Sequence, residues 1–311
     1  MILLLGSAED EPIAAVAAIL SEQGTPFHWI SDTTAAQTRI AQTPTTTSER
    51  GPSGNVALSL DTITAAYLRP WPNARSDIAG DLLNAVMSWA DHTPALVINR
   101  PADAESNMSK PYQAGLLAQC GFRTPPTLIT TDHHQALAFT EHHGRVVYKS
   151  VSNHRSHVKV VDRQELSAML KTRPLQNCPT QFQQHIPGQE YRVHVLRDRI
   201  FTCQIITEAD DYRYATNHGH DLTMRPTRIP ADIADMCRHA TARLGLAFSG
   251  IDLRRTPQNE WFCLEANTSP GYTYYQRLAG LDIAHPLAQQ LTHPGRPRPI
   301  SAAPLPATAS R

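Results

Sequence analysis

Residues 250–267 read GIDLRRTPQNEWFCLEAN. Two apolar runs, GIDLRR and WFCLEAN, flank Thr256, Pro257, Gln258 and Asn259, which is turn chemistry, so the stretch predicts two adjacent strands joined by a tight connection. Asp252 and Glu265 lie thirteen residues apart on these strands. Asn267 stands two beyond Glu265 and so shares its face. Ionised groups set among Ile, Leu and Phe need a counter-charge. Three hard oxygen donors, two of them carboxylates, suit Mg²⁺ and leave room for phosphate oxygens and water. Strand-end polar residues facing solvent would give the same letters, so the trio gains its weight from what precedes it.

Upstream, TQFQQHI (180–186), YRVHVL (191–196) and IFTCQII (200–206) alternate like strands, with Pro187-Gly188 and Arg197-Asp198 between them, and read as an antiparallel meander. Arg192 and Arg213 lie near strand ends, where a planar guanidinium meets phosphate or carboxylate with two donors. Lys149 closes the run RVVYK, and Lys110 opens a helix ending at Gly121. The start of a helix is an unfavourable place for a cation unless an anion lies close by. Asp132 is suited to cap the helix after TPPTLITTD. A helix over Ile233–Leu244 precedes the strand pair, and another over Ile283–Leu291 follows it.

At the other end, Ile2–Leu5, an Ala-rich helix from Pro12 to Leu20 and the strand FHWI begin an open α/β layer with parallel neighbours. Gly6 and Ser7 could bind phosphate at the helix start, but no G-x-G-x-x-G occurs. Residues 32–59 are rich in Thr, Gln, Ser and Gly and read as loop, and ALVIN (95–99) closes this lobe. The final residues, HPGRPRPISAAPLPATASR, are Pro- and Ala-rich and read as disordered. The predicted division is 1–99, 100–186, 187–294 and a tail over 295–311.

Lys plus Arg and Asp plus Glu both number 28. With no basic stripe, the electrostatic pull behind nucleic-acid binding is missing. The apolar run at the start spans four residues, too short for a membrane helix or signal peptide. Five cysteines, odd in number and without a C-x-x-C pair, indicate neither a disulfide framework nor zinc, and fit a reducing cytoplasm.

Taken in order, Lys110, Lys149, QFQQHI, GQEYRV, DYR, GIDLR and LEAN resemble the ATP-grasp superfamily, in particular its RimK-like glutamate-ligase branch, over roughly residues 95–292. The resemblance implies an ATP-grasp fold of α+β lobes preceded by an open parallel α/β domain. It implies that Lys110 and Lys149 contact ATP phosphates, that Gln184, His185 and Ile186 form the adenine hinge, and that Glu190 accepts the ribose hydroxyls. Arg192 and Arg213 then face the γ-phosphate or an acyl-phosphate, Asn217 lies on the phosphate side, and Asp252, Glu265 and Asn267 bind one or two Mg²⁺ ions, with Mn²⁺ an alternative. The activity implied is an ADP-forming carboxylate–amine ligase acting through an acyl-phosphate on an amino acid or peptide, with self-association left open.

The segment SVSNHRSH after Lys149 has no glycine where many ATP-grasp proteins have a Gly-rich loop, so Arg155 and its polar neighbours are candidates to cover the phosphates by side chains. NRP, SKPYQ and PPTLITTD resemble, more loosely, the graspetide macrocyclases, which form side-chain esters and amides in peptides. A small-molecule kinase on the same frame and a non-catalytic nucleotide-binding module are the remaining readings. SPGYTYYQR offers Tyr272, Tyr274, Tyr275 and Arg277 as an acceptor pocket, and His218 and His220 make a weak H-x-H pair that reads as loop.

Overall fold

The computed structural model describes residues 1–42, 58–71, 78–150, 159–172, 175, 178–209, 212–216 and 219–295. Arg155, Asn217, His218, most of the SVSNHRSH segment and the Pro/Ala-rich tail lie outside the described residues. Two compact units form, one from Met1–Ala102 with Ala284–Arg311 and one from Asp103–Ile283.

In the first unit, β1 (Ile2–Gly6) is buried at every position, the pattern of a strand covered on both faces. It pairs in parallel with β2 (Phe27–Ile30) and β3 (Ala65–Arg69), and β4 (Leu96–Ile98) adds to β3, giving the order β2-β1-β3-β4. Helix α1 (Glu11–Glu22) is capped by Asp10, whose carboxylate accepts from Ile13 N–H. The same carboxylate pairs with Arg69 Nε at 2.9 Å. Alternate residues Leu3, Leu5, Ala66, Leu68 and Val97 pack with α2 (Ile78–His92) through Leu82, Val86, Trp89 and Ala90.

The opposite face carries α1 and the C-terminal helix Ala284–Thr292, which packs on α1 and β3 and buries Leu287, Ala288 and Leu291. The sequence division carried this helix with the preceding lobe; its apolar side belongs with the first sheet. The turn after β1 also differs from a phosphate loop. Ser7 Oγ and Ala8 N–H donate to the Asp32 carboxylate at 2.7 and 3.1 Å, so an acidic side chain takes these donors.

The second unit opens with α3 (Lys110–Gln119). A four-stranded antiparallel sheet follows, β5 (Thr127–Thr130), β6 (Val146–Ser150), β7 (Lys159–Val161) and β8 (Thr180–Gln184) in the order β5-β8-β6-β7. Helices α4 (His133–His143) and α5 (Arg163–Thr172) complete this lobe, with Ala136, Val146, Val161, Leu166, Leu170 and Phe182 in its core. Asp132 caps α4 as the sequence predicts, accepting from His134 and Gln135 N–H.

The larger antiparallel sheet comprises β9 (Gln189–Leu196), β10 (Arg199–Ile206), β11 (Thr223–Thr227), β12 (Phe248–Arg255) and β13 (Trp261–Asn267), ordered β11-β10-β9-β12-β13. The expected three-strand meander is corrected here: β9 and β10 are a hairpin, but the strand before them, β8, pairs with β5 and β6. His185–Gly188 carries the chain from one sheet to the other, and Gly188 is required there. Its φ is +148°, and a Cβ would lie 2.2 Å from Arg255 O.

Helix α6 (Ala231–Arg243) covers one face of the larger sheet, burying Ile233, Cys237 and Ala240 with Tyr191, Val193, Val195, Ile251, Leu253 and Cys263. The even-numbered residues of β9 and β12 therefore face the other way. A short helix, α7 (Thr273–Ala279), packs beside β11. No helix among the described residues is long and apolar enough to cross a membrane.

Candidate active site

Strand register brings the chemistry together on the face turned away from α6. Across β9, β12 and β13 the paired residues are Arg192, Asp252 and Glu265 in one row, and His194, Gly250 and Asn267 in the next. Glu190 pairs with Arg254 in the row before. A bulge makes the middle row possible. Asp252 pairs with Glu265 and Leu253 with Cys263, so Leu264 is the extra residue. Strict alternation would put Cys263 and Glu265 on one face; the bulge leaves the thiol in the core and turns the carboxylate to the site.

Arg192 Nη1 donates to Asp252 Oδ1 at 2.6 Å, with both side chains largely buried. Burial pushes the Asp252 carboxyl up, Arg192 pulls it back, and the Glu265 charge pushes it up again. The net effect is a rise above the usual carboxylate value, which the short contact to the Arg192 guanidinium offsets in part. For Glu265 the balance is clear. Burial works to raise it, but Lys110, Lys149 and Arg192 outweigh burial and hold it at about 2.

Lys110, at the first position of α3, donates to Glu265 Oε2 at 3.3 Å, which supplies the anion that a cation at a helix start requires. Gln113, one turn on, clamps β13 through both backbone groups of one residue, donating to Ala266 O at 2.8 Å and accepting from Ala266 N–H at 2.9 Å. The sequence reading passed over this residue. Its signal was an amide one helical turn from Lys110 on the same helix face.

Lys149 is 7% exposed and donates to Gln183 Oε1 at 3.1 Å. Gln183 donates in turn to Thr127 Oγ1. Burial draws the Lys149 ammonium down to about 8, against the pull of Glu265 and with the push of Lys110. Arg213 lies on the exposed side of a 3₁₀ turn, Tyr212–Tyr214, and its charge is felt at both Asp252 and Lys149.

At the crossover between sheets, Gln184 N–H donates to Pro126 O and His185 N–H to Arg145 O, both at 2.9 Å. Arg254 Nη2 donates to Glu190 Oε2 at 2.7 Å, and Arg254 Nη1 donates to Ile186 O at 3.2 Å. Arg254 joins the crossover to Glu190, a role absent from the sequence reading although alternation from Asp252 puts it on this face.

Two carboxylates whose mutual charge must be offset, with the Asn267 amide one cross-strand pair along, fit a hard divalent cation. Asn267 Oδ1 already accepts from Ser269 N–H at 2.9 Å, and an amide oxygen has a second lone pair. No group of three or more His, Cys, Asp or Glu side chains placed to hold a metal occurs among the described residues, so His220 belongs to none. Tyr272 and Tyr275 are buried rather than lining an open pocket, because the segment after Asn267 folds back as α7 and turns them into the core.

The geometry agrees with what comparison with known proteins shows. A model of the RimK-like ATP-grasp domain matches residues 108–291. A probable alpha-L-glutamate ligase of Histophilus somni strain 2336 is 31% identical over 104 residues, 33% of this chain and 34% of that protein, so the matched stretch spans about a third of the relative. Among solved structures, the ATP-grasp ligase PsnB complexed with a phosphomimetic variant of minimal precursor, Mg and ADP superposes with a TM-score of 0.74 at 23% identity, over 94% of this chain and 97% of that one. The macrocyclase MdnC bound with precursor peptide MdnA, from Microcystis aeruginosa, gives 0.75 at 18% identity, over 95% and 100%. At these identities the superpositions show a shared fold. The family match spans more than half of the residues and contains the whole carboxylate and cation cluster: the chain belongs to the RimK-like ATP-grasp family.

Proposed function

We propose that the protein is an ATP-dependent ligase that activates a carboxylate as an acyl-phosphate and joins it to an amine of an amino acid or peptide. The observation that carries this reading is the row Arg192–Asp252–Glu265 faced by Lys110 and Lys149. Such a cluster of both signs suits transfer of a phosphoryl group, where catalysis is mostly positioning and charge stabilisation.

In this reading Lys110 and Lys149 hold phosphate oxygens, and Gln184, His185 and Ile186 meet the adenine edge with backbone groups. The N–H groups of residues 184 and 185 serve neighbouring carbonyls, which leaves the Ile186 N–H for the base. Glu190, oriented by Arg254, accepts the ribose hydroxyls. Asp252, Glu265 and Asn267 hold one or two Mg²⁺ ions, or Mn²⁺, which when bound screen the phosphate charge from the carboxylates. Arg192 and Arg213 stabilise the oxygens of the transferred group. A substrate carboxylate oxygen attacks the γ-phosphorus and ADP leaves; the amine then attacks the acyl carbon, and phosphate and a proton leave. Arg155 and Asn217 remain proposed contacts on the phosphate side.

A peptide substrate, with ester or amide formation between side chains, is the second reading. It is favoured by superposition on ligases solved with precursor peptides. Incubation with Mg·ATP and pools of amino acids and acidic peptides separates the readings by product mass. Ligation gives ADP, free phosphate and a joined product lighter by one water. A product heavier by a phosphoryl group points to a kinase, and absence of ADP with every pool sinks the ligase reading.

Gly250 gives a sharper check on Arg192. A Cβ there would lie 2.6 Å from Arg192 Nη2 and 2.7 Å from Pro270 Cβ. Gly250→Ala therefore displaces the guanidinium from Asp252. Turnover is expected to fall by about tenfold to a hundredfold with Mg·ATP still bound, as read by steady-state kinetics and calorimetry.

A further inference from the structure

In the 3₁₀ turn that carries Arg213, the Tyr212 side chain is anchored by a hydrogen bond. Arg213 and Tyr214 are exposed, while Tyr212 is buried in a cluster with Cys203, Ile205, Met224, Tyr275 and Ala279. The Tyr212 and Tyr275 hydroxyls meet at 2.5 Å in this apolar setting. The turn is also tied locally, with Ala215 N–H donating to Tyr212 O at 3.2 Å and His220 N–H to Ala215 O at 2.9 Å.

Tyr275 is itself fixed from the site side. The Arg192 guanidinium carbon stands 5.7 Å from its ring centre, and the His194 ring packs edge-on at 4.9 Å. His194 is fully buried and donates from Nε2 to Gly271 O at 3.1 Å, which pins the loop leading into α7. An unbroken series of contacts thus runs from Asp252 through Arg192 to Tyr275 and Tyr212, and the next residue in the chain is Arg213.

We propose that the Tyr212–Tyr275 hydroxyl pair is a positioning device that holds Arg213 toward the Asp252 and Glu265 carboxylates. Neither tyrosine touches the reactants; both act through the arginine. The proposal rests on the reading of the cluster as a phosphoryl-transfer site and names what orients the exposed member of it. A hydroxyl pair suits this task. It is directional where apolar packing is not, and its burial makes an unpaired alternative costly.

The test uses Tyr212→Phe, Tyr275→Phe, the double variant, Arg213→Ala, and Tyr212→Phe combined with Arg213→Ala. Each single Phe variant strands one buried hydroxyl and is expected to lower the thermal midpoint. The double variant removes both hydroxyls and should regain the wild-type midpoint, yet turn over about tenfold to a hundredfold more slowly. In the Arg213→Ala background, Tyr212→Phe should change turnover no further. A double variant with wild-type turnover overturns the proposal, as does an equal loss from Tyr212→Phe with and without Arg213. If the wild type forms no ADP with any substrate pool, the ligase reading fails and affinity decides the proposal. Weaker Mg·ATP binding with unchanged Mg·ADP binding, in both Arg213→Ala and the double Phe variant, upholds it; unchanged Mg·ATP binding overturns it.

Discussion

Glu265→Gln is expected to lower turnover by about 10²–10³-fold, the scale on which a prearranged electrostatic group acts. The substitution keeps the shape and removes one negative charge from a cluster that includes Lys110, Lys149 and Arg192. Lys110 loses its anion at the start of α3, and the carboxylate pair becomes a single carboxylate. A divalent cation should then be held less tightly, so the Mg²⁺ concentration giving half-maximal rate should rise as the maximal rate falls.

The acid limb of stability offers an independent readout. The Glu265 carboxyl sits at about 2 in the folded protein and near the ordinary value of about 4.3 when unfolded. Its contribution is present above the unfolded value and drains away as pH falls toward 2. Denaturation midpoints should therefore drop less steeply between pH 4.5 and 2 in Glu265→Gln than in the wild type. Equal slopes and equal Mg²⁺ requirements would remove Glu265 from the metal site.

The second large effect concerns pH. Lys149 loses its proton at about 8 in the folded protein, against about 10.4 in an unfolded chain. From pH 8 to 10.4 the unfolded state holds more protons, so stability gains with pH across that window; below 8 the buried ammonium costs its full amount. Nucleotide binding has the opposite slope. Phosphate oxygens need the charged form, so above pH 8 binding must take up a proton, and Mg·ATP affinity should fall by up to about tenfold per pH unit. Titration calorimetry in buffers of different ionisation enthalpy should register that uptake. Lys149→Arg, which stays charged, should bind with little pH dependence between 7 and 9.5. A flat wild-type profile would place the Lys149 charge away from the phosphates.

Much of the site could be read because its strands alternate cleanly. Along β9, Tyr191, Val193 and Val195 are core and Arg192 lies on the opposite face beside Asp252, so the letters alone assign the faces. The family's ordered pieces added the hinge and the lysines. Other features depend on geometry that letters do not carry. The bulge at Leu264 reverses the face of Glu265 relative to Cys263 without a glycine or proline to announce it. The strand TQFQQHI has the pattern of a meander neighbour, but Pro187-Gly188 marks a passage between sheets instead of a hairpin. Gln113 and Arg254 are isolated polar letters whose partners lie 153 and 64 residues away in the chain. Tyr275 reads as a candidate for the acceptor pocket, and α7 instead folds it inward.

The helix that packs on α1 comes from the far end of the chain. During synthesis the first sheet leaves the ribosome with α2 in hand and its other face only half covered. At about 5–20 residues per second, roughly 180 residues of the second unit must emerge before Leu287 and Leu291 arrive. For about 10–40 s the nascent first unit exposes an apolar strip, the kind of surface that chaperones bind. The second unit has every one of its strands and helices within one continuous segment and can mature first, so the N-terminal layer is begun first and finished last.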